Sequence, residues 1–262
     1  MSEEKVKSEN KQVAKKTSTA LASLGASFEV DSGKGLENVS QDDLTIPRLK
    51  ILQALSPEVN KRDGGYIEGA AAGDVVNTVT KQLYTEDNPL IVLPVAYKRM
   101  YLEWQPRESG GGLVNQHTDA SILAETKKDE RYADVLPNGN YIQTSATHYV
   151  LTIEGDSFQQ VMIPMANTQL KKSRTWNSVM SSIKLKGSEG NVYTPPSYSH
   201  KYKLTTVQES NDRGTWFGWN IDLMGIIEED ELHLYEIAKG FAETVNVDAP
   251  PASTASPDEA PF

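Results

Sequence analysis

A mainly β fold with a few helices (α+β) is the class this sequence predicts. Its architecture reads as a Greek-key barrel of the OB type carrying insertions, with a sandwich as the alternative. Six segments rich in β-branched and aromatic residues are separated by turn signals. The helical patterns are too few to alternate with them as a parallel sheet requires.

Residues 1–43 are rich in Lys, Glu, Ser and Gly and cannot bury enough apolar surface to offset the entropy of ordering. They read as a mobile N-terminal arm, in which TALASLGASF is a short helical stretch at most. The folded body, 44–242, opens at LTIPRLKILQALSPEV, where Leu49, Ile51, Leu52 and Leu55 fit a helix and a strand alike. DVVNTVT (74–80) and LIVLPVAYKRMYLEW (90–104) read as strands. YIQTSATHYVLTIEG and FQQVMIPM read as a hairpin turning at Gly155-Asp156, and KYKLTTVQES and GTWFGWNIDLMG as another turning at Asn211–Gly214. In TQLKKSRTWNSVMSSIKL the residues Trp176, Val179, Met180 and Ile183 recur on one helical face. EEDELHLYEIAKGFA opens with acids, as a helix N-terminus favours. ILAETKKDERYADV reads as a third helix, on an insertion. Residues 243–262 form a disordered acidic tail by composition.

Charge is distributed unevenly. The chain carries a net charge of -10. Between Gln160 and Trp219, however, eight Lys and Arg residues face three acids, whereas from Asp222 onward ten acids face Lys239 alone. With no cysteine, disulfides and thiolate chemistry are excluded. No apolar run approaches the roughly 20 residues of a membrane span, so no membrane association is expected and the cytoplasm, a host's if the chain is phage-encoded, is the expected compartment.

The search for catalytic chemistry yields little. His117, His148, His200 and His233 lack metal-ligand spacing. Ser32-Gly33-Lys34-Gly35 fails the phosphate-loop pattern, with Phe28 where a glycine is required, and Gly110-Gly111-Gly112 lacks the spaced third glycine of a dinucleotide site. A non-catalytic protein without cofactor or metal is therefore expected.

Binding residues stand out more clearly. Period-two alternation along 96–104 places Ala96, Lys98, Met100, Leu102 and Trp104 on one face, which reads as core. The other face carries Tyr97, Arg99, Tyr101 and Glu103, two tyrosines about an arginine. In TWFGWNIDL the same sorting sends Phe217, Trp219, Ile221 and Leu223 inward and Trp216 outward. SYSHKYKL interleaves Tyr198 and Tyr202 with Lys201 and Lys203, Tyr202 also fitting an inward face beside Leu204. Lys171, Lys172 and Arg174 cluster in the first turns of the first helix. Aromatic rings that stack bases and cations that track phosphates are what a single-strand groove requires.

The chain ends VDAPPASTASPDEAPF, with prolines at 250, 251, 257 and 261 that exclude helix and sheet. Asp258, Glu259, Pro261 and Phe262 then present two acids, a ring and the α-carboxylate. This end resembles the acidic tip of bacterial single-stranded DNA-binding proteins, with two acids where that pattern has three. Its position after an OB-type body is similar to that in phage-encoded single-stranded DNA-binding proteins. The resemblance implies single-stranded DNA as ligand, and a tip that recruits replication or recombination proteins and competes with DNA for the groove. The expected function is thus non-catalytic single-stranded DNA binding in phage replication, recombination or repair. A homo-oligomer is compatible with it, and a virion structural or assembly protein and a strand-annealing protein are the alternatives.

Overall fold

The computed structural model describes residues 28–40, 43–155, 157–212 and 214–247. The chain divides after Thr45 into two units. In the first, described from residue 28, the side chains are exposed, Phe28, Val30 and Leu36 among them, and short turns such as Leu36 N–H to the Gly33 carbonyl organise the backbone. Most of the expected arm, residues 1–27 with 41 and 42, lies outside the described residues.

The second unit is the folded body, 40% strand and 23% helix over the chain, which makes its class mainly β. Three short antiparallel strands come first: β1 (Leu49–Ile51), β2 (Val75–Asn77) and β3 (Leu83–Tyr84). The open choice at 49–55 thus resolves as strand over Leu49–Ile51 alone, with Leu49 and Leu52 buried and Leu55 exposed in the turn that follows. The long β4 (Leu90–Trp104) follows. An insertion then carries β5 (Leu113–His117), a 3-10 helix at Ala120–Glu125, β6 (Lys127–Lys128) and β7 (Asp134–Val135). The single helix expected over this insertion is therefore corrected. Asp119 caps a short 3-10 turn, and Asp129 then bends the chain into a β6–β7 hairpin.

Beyond the insertion run β8 (Tyr141–Glu154), β9 (Ser157–Ala166), helix α1 (Gln169–Ser182), and a small pair, β10 (Leu185–Lys186) and β11 (Val192–Tyr193). The hairpin of β12 (His200–Asn211) and β13 (Gly214–Ile226) leads into helix α2 (Leu232–Val247). Both expected hairpins and both expected helices lie in these segments. A capping box between Glu228 and Glu231 starts the last turn before α2, and α2 continues five residues past 242 because Val245 packs against the core.

The main sheet follows the order β13-β12-β4-β8, with β9 on the same edge of β8 as β7, and it curls into a half-barrel. Pro94, which has no N–H to donate, sits beside a register shift between Pro94 and Ala96 that bends β4. The gap between β9 and β13 is bridged by the first segment of the body. Met162 N–H donates to the Pro47 carbonyl at 2.8 Å, and the Gln53 amide exchanges two hydrogen bonds with the Phe217 backbone, 2.8 and 3.0 Å. Gly73 lies at this closure with φ 100°, its Cα so close to the Phe217 ring that a Cβ would meet it at 2.8 Å. Only glycine satisfies both constraints.

Each face of the sheet has its own core. On one, Val92, Val150, Ile163, Met165, Tyr202, Leu204 and Trp219 pack with Leu49 and with Trp176 of α1. On the other, Leu93, Tyr149, Leu151 and Met162 pack with Leu234, Ala238 and Phe241 of α2. A third, smaller cluster of Tyr101, Leu136 and Ile142 fastens the insertion over the end of β4.

Candidate functional site

The face covered by α1 gathers most of the expected binding residues. Tyr97 remains 37% exposed. Its ring lies 5.1 Å from that of His148, His148 stacks on Trp176 at 4.5 Å, and Trp176 meets Tyr202 edge-on at 5.6 Å. Tyr97 is thus the outermost ring of a column that runs into the core. Two places along β4, Arg99 is exposed, its guanidinium interacting first with Tyr97 and then with Tyr101.

Two residues of the expected surface are not on it. Tyr202 is 1% exposed, because α1 covers it, and so it cannot stack a ligand. Tyr101 is 6% exposed, because the insertion folds back over it. Glu103, expected to point outward, is likewise buried. It accepts hydrogen bonds from Asn140 at 2.6 Å and Asn138 at 3.3 Å and pairs with His117 at 2.9 Å, tying the insertion to β4. These partners, the Asn140 bond foremost, hold its carboxyl below the usual range.

Trp216 and Lys172, distant in sequence, converge on Glu209. Lys172 Nζ lies 2.9 Å from one carboxylate oxygen, and Trp216 Nε1 donates to the other at 3.0 Å. Gln169 reaches the same carboxylate and also accepts from the Trp219 N–H at 2.9 Å. This meeting takes place over Gly218, where a Cβ would stand 2.6 Å from Gln169 Nε2 and 2.7 Å from Glu209 Oε2. The Lys172 hydrogen bond, first among several, lowers the Glu209 carboxyl below its ordinary value. Lys171 and Arg174 are exposed on the same helix, and Arg174 Nε donates back to the Leu170 carbonyl at 3.3 Å.

Tyr198, Lys201 and Lys203 do not join this group. Lys201 and Lys203 alternate along β12 with the buried Tyr202 and Leu204 and so point to the opposite face. There Lys201 Nζ is held at 2.7 Å by both oxygens of Glu231, and Tyr198 packs on Tyr235 at 5.0 Å. Lys203 stands opposite Asp222 in the ladder. Leu223, expected inward, is 47% exposed at the outer strand of the sheet. Asp258, Glu259, Pro261 and Phe262 lie outside the described residues.

Sequence reasoning missed a groove of about 1280 Å³ between the insertion and the start of α1. Ile142, Gln143 and Thr144 of β8 form its floor, Asn167 and Leu170 one wall, and Arg107, Arg131 and Tyr132 stand among the residues of the other. Thr144 is the ladder partner of Tyr101, so the groove continues the line of Tyr97 and Arg99 along the same face. Reading 122–135 as a helix concealed it, although Asp129, a residue type that favours turns, stands in the middle of that stretch.

Among the described residues, no group of three or more His, Asp or Glu is placed to hold a metal ion, and no helix is long and apolar enough to cross a membrane. Compared with known families, residues 15–249 match the model described as Pam3 phage gp34-like protein. No curated protein and no solved structure matches the chain.

Proposed function

We propose that this chain, which belongs to the Pam3 phage gp34-like protein family, is a non-catalytic single-stranded DNA-binding protein serving phage replication, recombination or repair. The observation that carries this reading is the exposed pair Tyr97 and Arg99, aligned on one face of a curled sheet with the groove beside Lys171 and Arg174. A ring offers every base a stacking surface worth about 1–3 kcal/mol, and cations beside a groove attract the phosphate backbone that runs through it. The OB-type architecture belongs to the same proposal, since a curled sheet with a cationic edge is the platform on which such barrels hold oligonucleotides. On this reading the acidic C-terminal segment recruits partner proteins and competes with DNA for the cations.

Titration of the full chain with oligo(dT) tests the proposal. Trp104, Trp176 and Trp219 are each 2% exposed, so Trp216 is the tryptophan expected to report contact with DNA. Binding should quench its fluorescence and weaken as salt rises, by a slope of about -0.7 per phosphate contact. No quenching and no gel shift at low salt would refute it.

A second reading, a virion structural or assembly protein, is favoured by one observation: Leu223, Met224 and Ile226 are exposed on the outermost strand of the sheet. Such a protein should sediment as large assemblies without DNA.

A further inference from the structure

Tyr132 sits at φ 64°, a left-handed backbone conformation that an L-residue enters at a cost and that Gly or Asn adopts more readily. The loop around it is well made. Asp129 Oδ1 accepts from the N–H groups of Arg131 at 2.9 Å and Ala133 at 2.8 Å, and the Tyr132 N–H donates to the Asp129 carbonyl at 3.0 Å. The hairpin therefore holds a large ring at its tip, yet that ring is 77% exposed and contributes little to the core. A costly conformation that displays an aromatic ring to solvent gains nothing for folding, which directs attention to a ligand.

The ring stands on a groove whose volume, about 1280 Å³, exceeds the 300–1,000 Å³ or so of a small-molecule pocket and suits a length of polymer. Arg131 and Arg107 line the same wall. Across from them Leu170 lines the other, and its carbonyl receives the Arg174 guanidinium. The insertion wall also carries acids. Asp129 is engaged by its own loop and Asp134 by Lys128 at 2.7 Å, while Glu108 and Glu130 remain exposed. Those two oppose a polyanion, so attraction at this wall must come from the ring and from individual arginine contacts, not from net charge.

We infer that the β6–β7 hairpin is the second wall of the single-strand groove, with the Tyr132 ring stacking a base and Arg131 meeting an adjacent phosphate. This rests on the reading of the chain as a single-stranded DNA binder, and assigns to the insertion a role in holding one unpaired strand. Three contacts fix the insertion to the sheet for that purpose: the Tyr101–Leu136–Ile142 cluster, the Glu103 node and the Asp134–Ile142 ladder pair.

The test is anisotropy of labelled oligo(dT) with the full chain and the variants Tyr132→Gly, Tyr132→Phe and Arg131→Ala. Glycine fits the backbone at 132, so Tyr132→Gly should melt no earlier than wild type while binding roughly 5- to 100-fold more weakly. Tyr132→Phe keeps the ring and should bind within about twofold of wild type. Arg131→Ala should reduce the salt slope by about 0.7. If wild type binds and Tyr132→Gly binds equally well, the inference is overturned alone. If wild type does not bind, it falls together with the reading beneath it.

Discussion

His148 places an imidazole among aromatic rings, with Ser173 Oγ at 2.8 Å as its polar partner, and burial pushes its pKa down to about 3 from the ordinary 6.5. The unfolded chain takes up a proton here below about pH 6.5 and the folded chain does not, so the stability this neutral ring supports is present above 6.5 and is lost as pH falls toward 3. Between pH 6.5 and about 4.5 the loss should reach about 2–3 kcal/mol. Urea unfolding checks this. His148→Phe keeps a ring between Tyr97 and Trp176 and should flatten that part of the pH profile, while an unchanged profile would exclude His148 as its source. At this scale the alternation of β4 was legible in the sequence, since Tyr97, Arg99 and Tyr101 do share a face. Which members of that face stay open was not. Burial of Tyr101 and Tyr202 is decided by the insertion and by α1, and period two says nothing about what a distant segment covers.

Strands and helices with strong patterns were readable almost to their ends: β4 spans the expected 90–104, and α1 lies within the expected helical stretch. The insertion was not, because β6 and β7 have two residues each and are set by Asp129 hydrogen bonds, too short for any periodicity to appear. Likewise, nothing local announces that α1 and the β12–β13 hairpin meet through Lys172, Glu209 and Trp216; that junction exists only once the chain has folded. The closure of the half-barrel gives the prediction at this scale. Gly73→Ala adds a methyl group at φ 100° against the Phe217 ring, and should cost about 2–4 kcal/mol in chemical denaturation. A loss below about 0.5 kcal/mol would mean that the Phe217 ring moves aside freely.

The whole molecule has a net charge of -10, so an encounter with a polyanion depends on where the acids lie. Asp258 and Glu259 belong to a segment beyond residue 249, where the family match ends. Removing residues 249–262 should tighten oligo(dT) binding several-fold at low salt, an effect that fades as salt screens it. Equal affinities for the two chains would refute competition by the tail. The seam between β9 and β13 has a consequence for sheet growth. Two glutamines from separate parts of the chain, Gln53 and Gln169, occupy the outward peptide groups of β13 at Phe217 and Trp219. Any foreign strand would find those rungs already taken. On β13 the stretch these glutamines leave clear is chiefly that from Asn220 to Ile226, so this strand has a polarity for strand addition, obstructed at Phe217–Trp219 and more open toward its C-terminal end.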